Sequence, residues 1–125
     1  MKQTVRTDSA PAPVGPYCQA VAWDRLVFTS GQIGLDPQTG QMVSGGVAAE
    51  AEQVFANLAA VLKAAGSGLD RALKVTVFLV DMKDFGPVNE VYARHFAEPY
   101  PARSCFAVAG LPKSARVEVE LVAER

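Results

Sequence analysis

The sequence predicts an α+β fold, on three observations. Two segments carry apolar residues at three- and four-residue steps, the mark of helices with one buried face. Short β-branched and aromatic runs precede, separate and follow them, so the order reads ββ(β)αβαββ. Several of those runs are apolar at successive positions: Val77 and Leu79 alternate with Phe78 and Val80, and Val27 with Phe28. Two helices shield only one face of such a sheet. The other apolar face is expected to be buried by a further subunit, which makes the protein an obligate oligomer.

Taken in order, Lys2 to Arg6 reads as a short first strand. Ala10 to Pro16 holds three prolines and a glycine and reads as an ordered loop. Tyr17 to Trp23 and Leu26 to Thr29 read as strands joined by a tight turn at Asp24-Arg25, and Ser30-Gly31 breaks the second. Val47 to Ala65 is predicted helical. Val47, Ala51, Val54, Phe55, Leu58, Val61, Leu62 and Ala65 form one apolar face, Glu50 and Glu52 sit near the start, and Gly66 stops it. Leu73 to Val80 is a strand by composition. Asp84 is expected to cap a second helix, Phe85 to Ala97, with Pro87 in its first turn. Ser104 to Ala109 and Arg116 to Ala123 close the chain as strands.

At 125 residues the chain is expected to be one domain, 1–125, with a core of its own. Half the residues are hydrophobic, and the net charge of −1 comes from interspersed signs. Nucleic acid is therefore not expected as the main partner, because phosphate binding needs a basic stripe. No apolar run approaches the ~20 residues of a membrane span. Residues 1–16 lack the apolar stretch of a secretory signal, so the expected location is cytoplasmic. Cys18 and Cys105 read as free thiols, and one histidine without a cysteine cluster argues against a zinc site.

Chemistry concentrates near the C-terminus. Pro101-Ala102-Arg103-Ser104-Cys105 places an arginine at the mouth of an apolar strand. A guanidinium is planar, permanently charged and shaped to grip a carboxylate through two parallel hydrogen bonds. Glu118 lies in the next alternating run and would supply a carboxylate for a proton or a water. Pattern alone leaves each of these open. Arg103 reads equally as half of a surface ion pair, and Glu118 and Glu120 alternate outward equivalently. Cys105 reads as a small core hydrophobe, Tyr17 as a packing aromatic, Asn89 as an early-helix polar residue and Ser30-Gly31 as a bulge. His95 is read as structural or surface, with no role in the site. Lys113 and Arg116 either flank a cleft or are simply solvated.

Four motifs occur in register: Val14-Gly15-Pro16-Tyr17, Thr29-Ser30-Gly31-Gln32-Ile33, Val77 to Phe85 running on to Val88-Asn89, and Pro101 to Cys105 with Val117-Glu118-Val119. Together they resemble the RidA family, also called the YjgF family, over nearly the whole chain. The resemblance implies a chorismate-mutase-like fold of the bacillus type, with a six-stranded mixed sheet and two helices on one face. It implies a homotrimer with clefts between subunits, and neither metal nor organic cofactor. It implies hydrolysis of short-lived 2-imino acids, or their enamine tautomers, to 2-keto acids and ammonia. By position, Arg103 would clamp the carboxylate and Glu118 would hold the attacking water. Cys105 would contact the ligand through its backbone, and Ser30, Gly31 and Asn89 would line the cleft. Tyr17 would reach in from a neighbouring subunit. The alternative reading is a non-catalytic trimer that binds small acids or acts as a chaperone through the same cleft.

Overall fold

The computed structural model describes all of residues 1–125. Eight regular elements follow one another: β1 (Gln3–Val5), β2 (Ala20–Trp23), β3 (Leu26–Thr29), α1 (Val47–Ala64), β4 (Ala72–Leu79), α2 (Phe85–His95), β5 (Ala102–Ala107) and β6 (Val117–Glu124). The strands form one sheet in the order β1-β2-β3-β6-β4-β5. Only β4 and β5 run parallel, because α2 connects them and carries the chain back to the same end; every other pair is antiparallel.

Both helices lie on one face, as the sequence predicts. All eight residues of the apolar stripe read from α1 are buried. They meet Val75, Val77 and Leu79 of β4 and Val117, Val119 and Leu121 of β6 in one continuous core, joined by Val88, Val91 and Tyr92 of α2. Helix α1 stops where Gly66 takes φ 80 and Ser67 N–H reaches back to the Leu62 carbonyl at 2.8 Å.

Several boundaries differ from expectation by one to three residues, β5 among them, which spans Ala102–Ala107 rather than Ser104 to Ala109, and three differences have a clear cause. Strand β2 begins at Ala20 rather than Tyr17, because Tyr17 N–H closes a turn onto the Gly15 carbonyl at 2.8 Å. Asp84 caps nothing with its side chain; Asp81 accepts from Lys83 N–H at 2.9 Å and starts a 3₁₀ turn that leads into α2. Helix α2 ends at His95, where Phe96 is already extended. His95 has the structural role expected of it: it stacks on Phe55 and meets the Glu52 carboxylate at 2.9 Å, tying α2 to α1.

The opposite face of the sheet has no helix. Phe28 pairs with Val122, and Phe78 lies between Phe106 and Glu118 in the register. Phe28 and Phe106 remain 43% and 46% exposed, which is the second apolar face the alternation demanded. Polar groups share it, among them Glu120 beside Thr76, and Lys74, whose Nζ donates to Ser104 Oγ at 2.9 Å. No helix is long and apolar enough to cross a membrane.

Candidate functional site

Strand pleat decides where each candidate residue goes. Arg103 pairs in register with Val75, whose side chain faces the helices. Glu118 pairs with Phe78, one step out of phase, and faces the open side. The structure therefore places the two on opposite faces of the sheet and gathers the seven candidates into two groups.

The first group lies between β5 and α2. Phe85, Asn89 and Tyr92 recur at i, i+4 and i+7, so all three face Arg103 from one stripe of the helix. Asn89 Oδ1 accepts from Arg103 Nη1 at 2.6 Å. The guanidinium carbon sits 4.6 Å from the Tyr92 ring centre and 5.6 Å from that of Phe85, within cation–π range. No carboxylate pairs with Arg103; its one side-chain hydrogen bond is to a neutral amide. A pocket of about 420 Å³ opens here, lined by Asn89, Tyr92, Ala93, Tyr100, Pro101 and Arg103. Cys105 also faces the helices and packs against the core. Burial pushes its thiol pKa up, with the Arg103 charge opposing. The side chain thus has the core character that its pattern suggested.

The second group lies on the open side, at a bulge. After Phe28 the β3–β6 ladder breaks. Thr29 Oγ1 accepts from Leu121 N–H at 3.0 Å, and backbone pairing resumes at Gln32 and Val119. Ser30 and Gly31 occupy the bulge between, as one reading of them expected. The Glu118 carboxylate lies directly over Gly31: a Cβ there would come within 2.3 Å of Glu118 Oε2, so a side chain at this position would displace the carboxylate. Ser30 Oγ donates to the Cys18 carbonyl at 2.6 Å. Tyr17 Oη accepts from Val14 N–H at 3.3 Å, folding the ring onto its own loop. Tyr17, Ser30, Gly31, Lys113 and Glu118 line one pocket of about 410 Å³. Burial, and then the neighbouring Glu120, raise the Glu118 pKa above its ordinary value. Glu118 lines this pocket and Glu120 does not.

Tyr17 is therefore grouped with Glu118, Ser30 and Gly31 of its own chain, apart from Arg103, Asn89 and Cys105. Of the two flanking cations, Lys113 lines the pocket with a left-handed backbone, φ 54, while Arg116 turns to the buried Glu50, Nε to Oε2 3.8 Å. No three His, Cys, Asp or Glu side chains lie close enough to hold a metal ion.

Sequence reasoning missed three buried residues. Tyr92, 6% exposed, seats Arg103, and the i+3 step from Asn89 was the signal that could have found it. Gln19 and Asn57, at 2% and 1%, hold loops around the Glu118 pocket and interrupt their local patterns only as single polar letters.

This sheet order, with both helices on one face and a bulged pocket opposite an edge-strand arginine, defines a chorismate-mutase-like α+β protein. The chain belongs to the RidA/YjgF family: residues 7–125 match the family model described as Endoribonuclease L-PSP. It is 50% identical over 123 residues to mouse 2-iminobutanoate/2-iminopropanoate deaminase, covering 98% of this chain and 91% of the mouse protein. Among solved structures, it is similar to RidA from an Antarctic Psychrobacter, with TM-score 0.95 and 46% identity over 98% of this chain and 99% of that one. It is also similar to Escherichia coli TdcF with bound serine, with TM-score 0.92 and 41% identity over 98% of each.

Tyr92 Oη is buried without a hydrogen-bond partner, and burial raises its pKa. Tyr92→Phe keeps the ring under Arg103 and removes that orphan hydroxyl. Urea denaturation is expected to show a gain of about 1 kcal/mol, with the guanidinium still seated.

Proposed function

We propose that this protein hydrolyses short-lived 2-imino acids and their enamine tautomers to 2-keto acids and ammonia. The observation that carries the reading is a guanidinium held in place by neutral groups alone. An arginine with an acidic neighbour spends its charge within the protein. Arg103 keeps its charge for a ligand carboxylate, which it can grip bidentately. Curated relatives about half identical over almost the full chain carry the name of this activity, and a neighbour was solved with a small amino acid bound.

The two groups of residues act as halves of one site. A second copy brings its Glu118, Tyr17, Ser30 and Gly31 against Arg103, Asn89 and the Cys105 backbone, and the exposed phenylalanines of the open face supply the contact. The assembly proposed is a homotrimer with a cleft at each seam. Arg103 fixes the substrate carboxylate. The adjoining imine carbon is already electrophilic once its nitrogen is protonated, so a positioned water suffices as nucleophile. Glu118 takes a proton from that water as the C–O bond forms and the C=N electron pair moves to nitrogen. It returns the proton to the nitrogen, then takes the hydroxyl proton as that oxygen closes to a carbonyl and the C–N bond breaks with its electron pair leaving on ammonia, which carries the proton away as ammonium. A raised pKa suits a carboxylate that must both accept and return a proton.

A second reading, small-acid binding without turnover, is favoured by the serine-bound neighbour. The same assay separates the two. The imino acid is generated with an amino-acid oxidase and the imine remaining is trapped with semicarbazide; keto-acid binding with no diversion of the imine would support binding alone. Arg103→Ala is expected to lower kcat/KM about 10- to 200-fold, the worth of a charge-assisted hydrogen bond or two. Glu118→Gln is expected to lower kcat about 10²-fold or more. Full activity in Arg103→Ala removes the clamp.

Glu118 works deprotonated, so activity falls as pH drops through its pKa. Because that pKa is raised, the acid limb of the kcat/KM profile is expected above the ordinary carboxylate value. Glu120→Gln removes the like charge beside it and is expected to move that limb to lower pH. Phe106→Asp places a charge on the open face. It is expected to reduce the assembly mass in light scattering and to lower activity by more than about tenfold in parallel.

A further inference from the structure

The pocket around Glu118 is walled by two loops, and each loop is held by one buried carboxamide. On one side runs the proline-rich strap, whose Pro11, Ala12, Val14 and Tyr17 face the pocket. Gln19 lies beneath it, 2% exposed. Its Nε2 donates to the carbonyls of Thr7 (3.0 Å), Ala10 (3.3 Å) and Pro11 (2.9 Å). Its Oε1 accepts from Thr7 N–H at 2.7 Å. The Gln19 backbone carbonyl also accepts from Ser30 N–H at 2.9 Å, joining strap to bulge. On the other side, Ile33 and Leu35 form the wall. Asn57 Nδ2 donates to their carbonyls at 3.3 and 2.9 Å, and Gln53 Nε2 donates in turn to Asn57 Oδ1 at 2.8 Å.

Neither amide is needed to complete a helix or strand ladder. Both donate to loop backbone carbonyls beside the core. Ala10 anchors the start of the strap in the core. Pro11, Pro13 and Pro16 stiffen it but supply no donors, and Val14, Gly15, Pro16 and Tyr17 are exposed. The surface that the two amides hold in place is mostly apolar, through Pro11, Val14, Ile33 and Leu35, next to a carboxylate that would carry the water.

We propose that Gln19, with Asn57 opposite, is a positioning residue that sets which substrate side chains the pocket admits. The proposal rests on the hydrolase reading above, and it assigns the apolar walls to the side chain of the 2-imino acid. A fixed wall rejects a chain that is a few methylenes too long; each methylene in a fitted pocket is worth about 10- to 200-fold. A loosened wall discriminates less.

The test compares kcat/KM for the alanine-derived imino acid with that for the leucine-derived one, in wild type, Gln19→Leu and Asn57→Leu. The ratio between the two substrates is expected to move towards unity by about fivefold or more in each variant. KM for the short substrate should rise while its kcat changes less. Gln19→Glu keeps an acceptor for Thr7 N–H but turns a carboxylate oxygen towards the Thr7, Ala10 and Pro11 carbonyls, so it should loosen the strap, and move the ratio, at least as far as Gln19→Leu. A variant that loses thermal stability but keeps the wild-type ratio overturns the proposal, because a purely structural role would leave selectivity alone. If the leucine variants fail to fold, Pro13→Gly loosens the strap without touching a buried bond; an unchanged ratio there overturns the proposal equally. If wild type turns over neither substrate, the hydrolase reading fails. The positioning role is then read from the affinities of 2-keto acids of the two lengths, and from hydrogen exchange at Thr7 and Val14, which must quicken in Gln19→Leu.

Discussion

Successive side chains on a strand point to opposite faces, and this parity governs the architecture of the site. Arg103 falls in phase with Val75 and Glu118 in phase with Phe78. One chain therefore cannot bring its own cation and its own carboxylate together without breaking the central β4 ladder. In the proposed site, each face is completed from outside. The helix-covered face leaves its arginine at the edge strand β5, and the open face leaves its carboxylate beside exposed phenylalanines. The apolar open face and the divided set of polar groups are the two features that the proposed assembly would satisfy together.

The electrostatics on the two sides are opposite in kind. Arg103 is surrounded by groups that hold it without neutralising it: an amide oxygen and two aromatic faces. Their attraction fixes the guanidinium while leaving most of its donors free. Glu118 sits in a wall of apolar residues with another carboxylate nearby, so its charged form is disfavoured. A permanent cation and a reluctant anion suit a reaction that must hold one carboxylate firmly and move a proton easily.

Polar side chains buried under loops do the remaining work. Gln19, Thr29, Glu50 and Asn57 each bond to backbone groups that no ladder reaches. Glu50, for instance, accepts from Arg116 N–H at 2.9 Å and so ties the start of α1 to the loop before β6. Such groups are costly to bury unless fully bonded. Here their bonds hold the strap, the bulge and the loop of Ile33 and Leu35 in fixed relation around one pocket.

The sequence by itself determined the elements, their order and the buried faces. These follow from periodicities of 3.6 and 2 that need only neighbouring residues to be read, as the α1 stripe and the two-sided apolar run of β4 illustrate. It offered Arg103, Glu118 and Gly31 as site candidates only through motifs in register, since local pattern left each of them open. Only the tertiary structure decided which residues meet. The separation of Arg103 from Glu118 depends on the register of β4 with both neighbours, and the lining of the bulge pocket by Glu118 rather than Glu120 on where the β3 bulge falls. The roles of Tyr92, Gln19 and Asn57 depend on partners 11 and 8 to 24 residues away. Contacts at that distance are fixed by packing of the whole chain, and a local pattern holds no record of them.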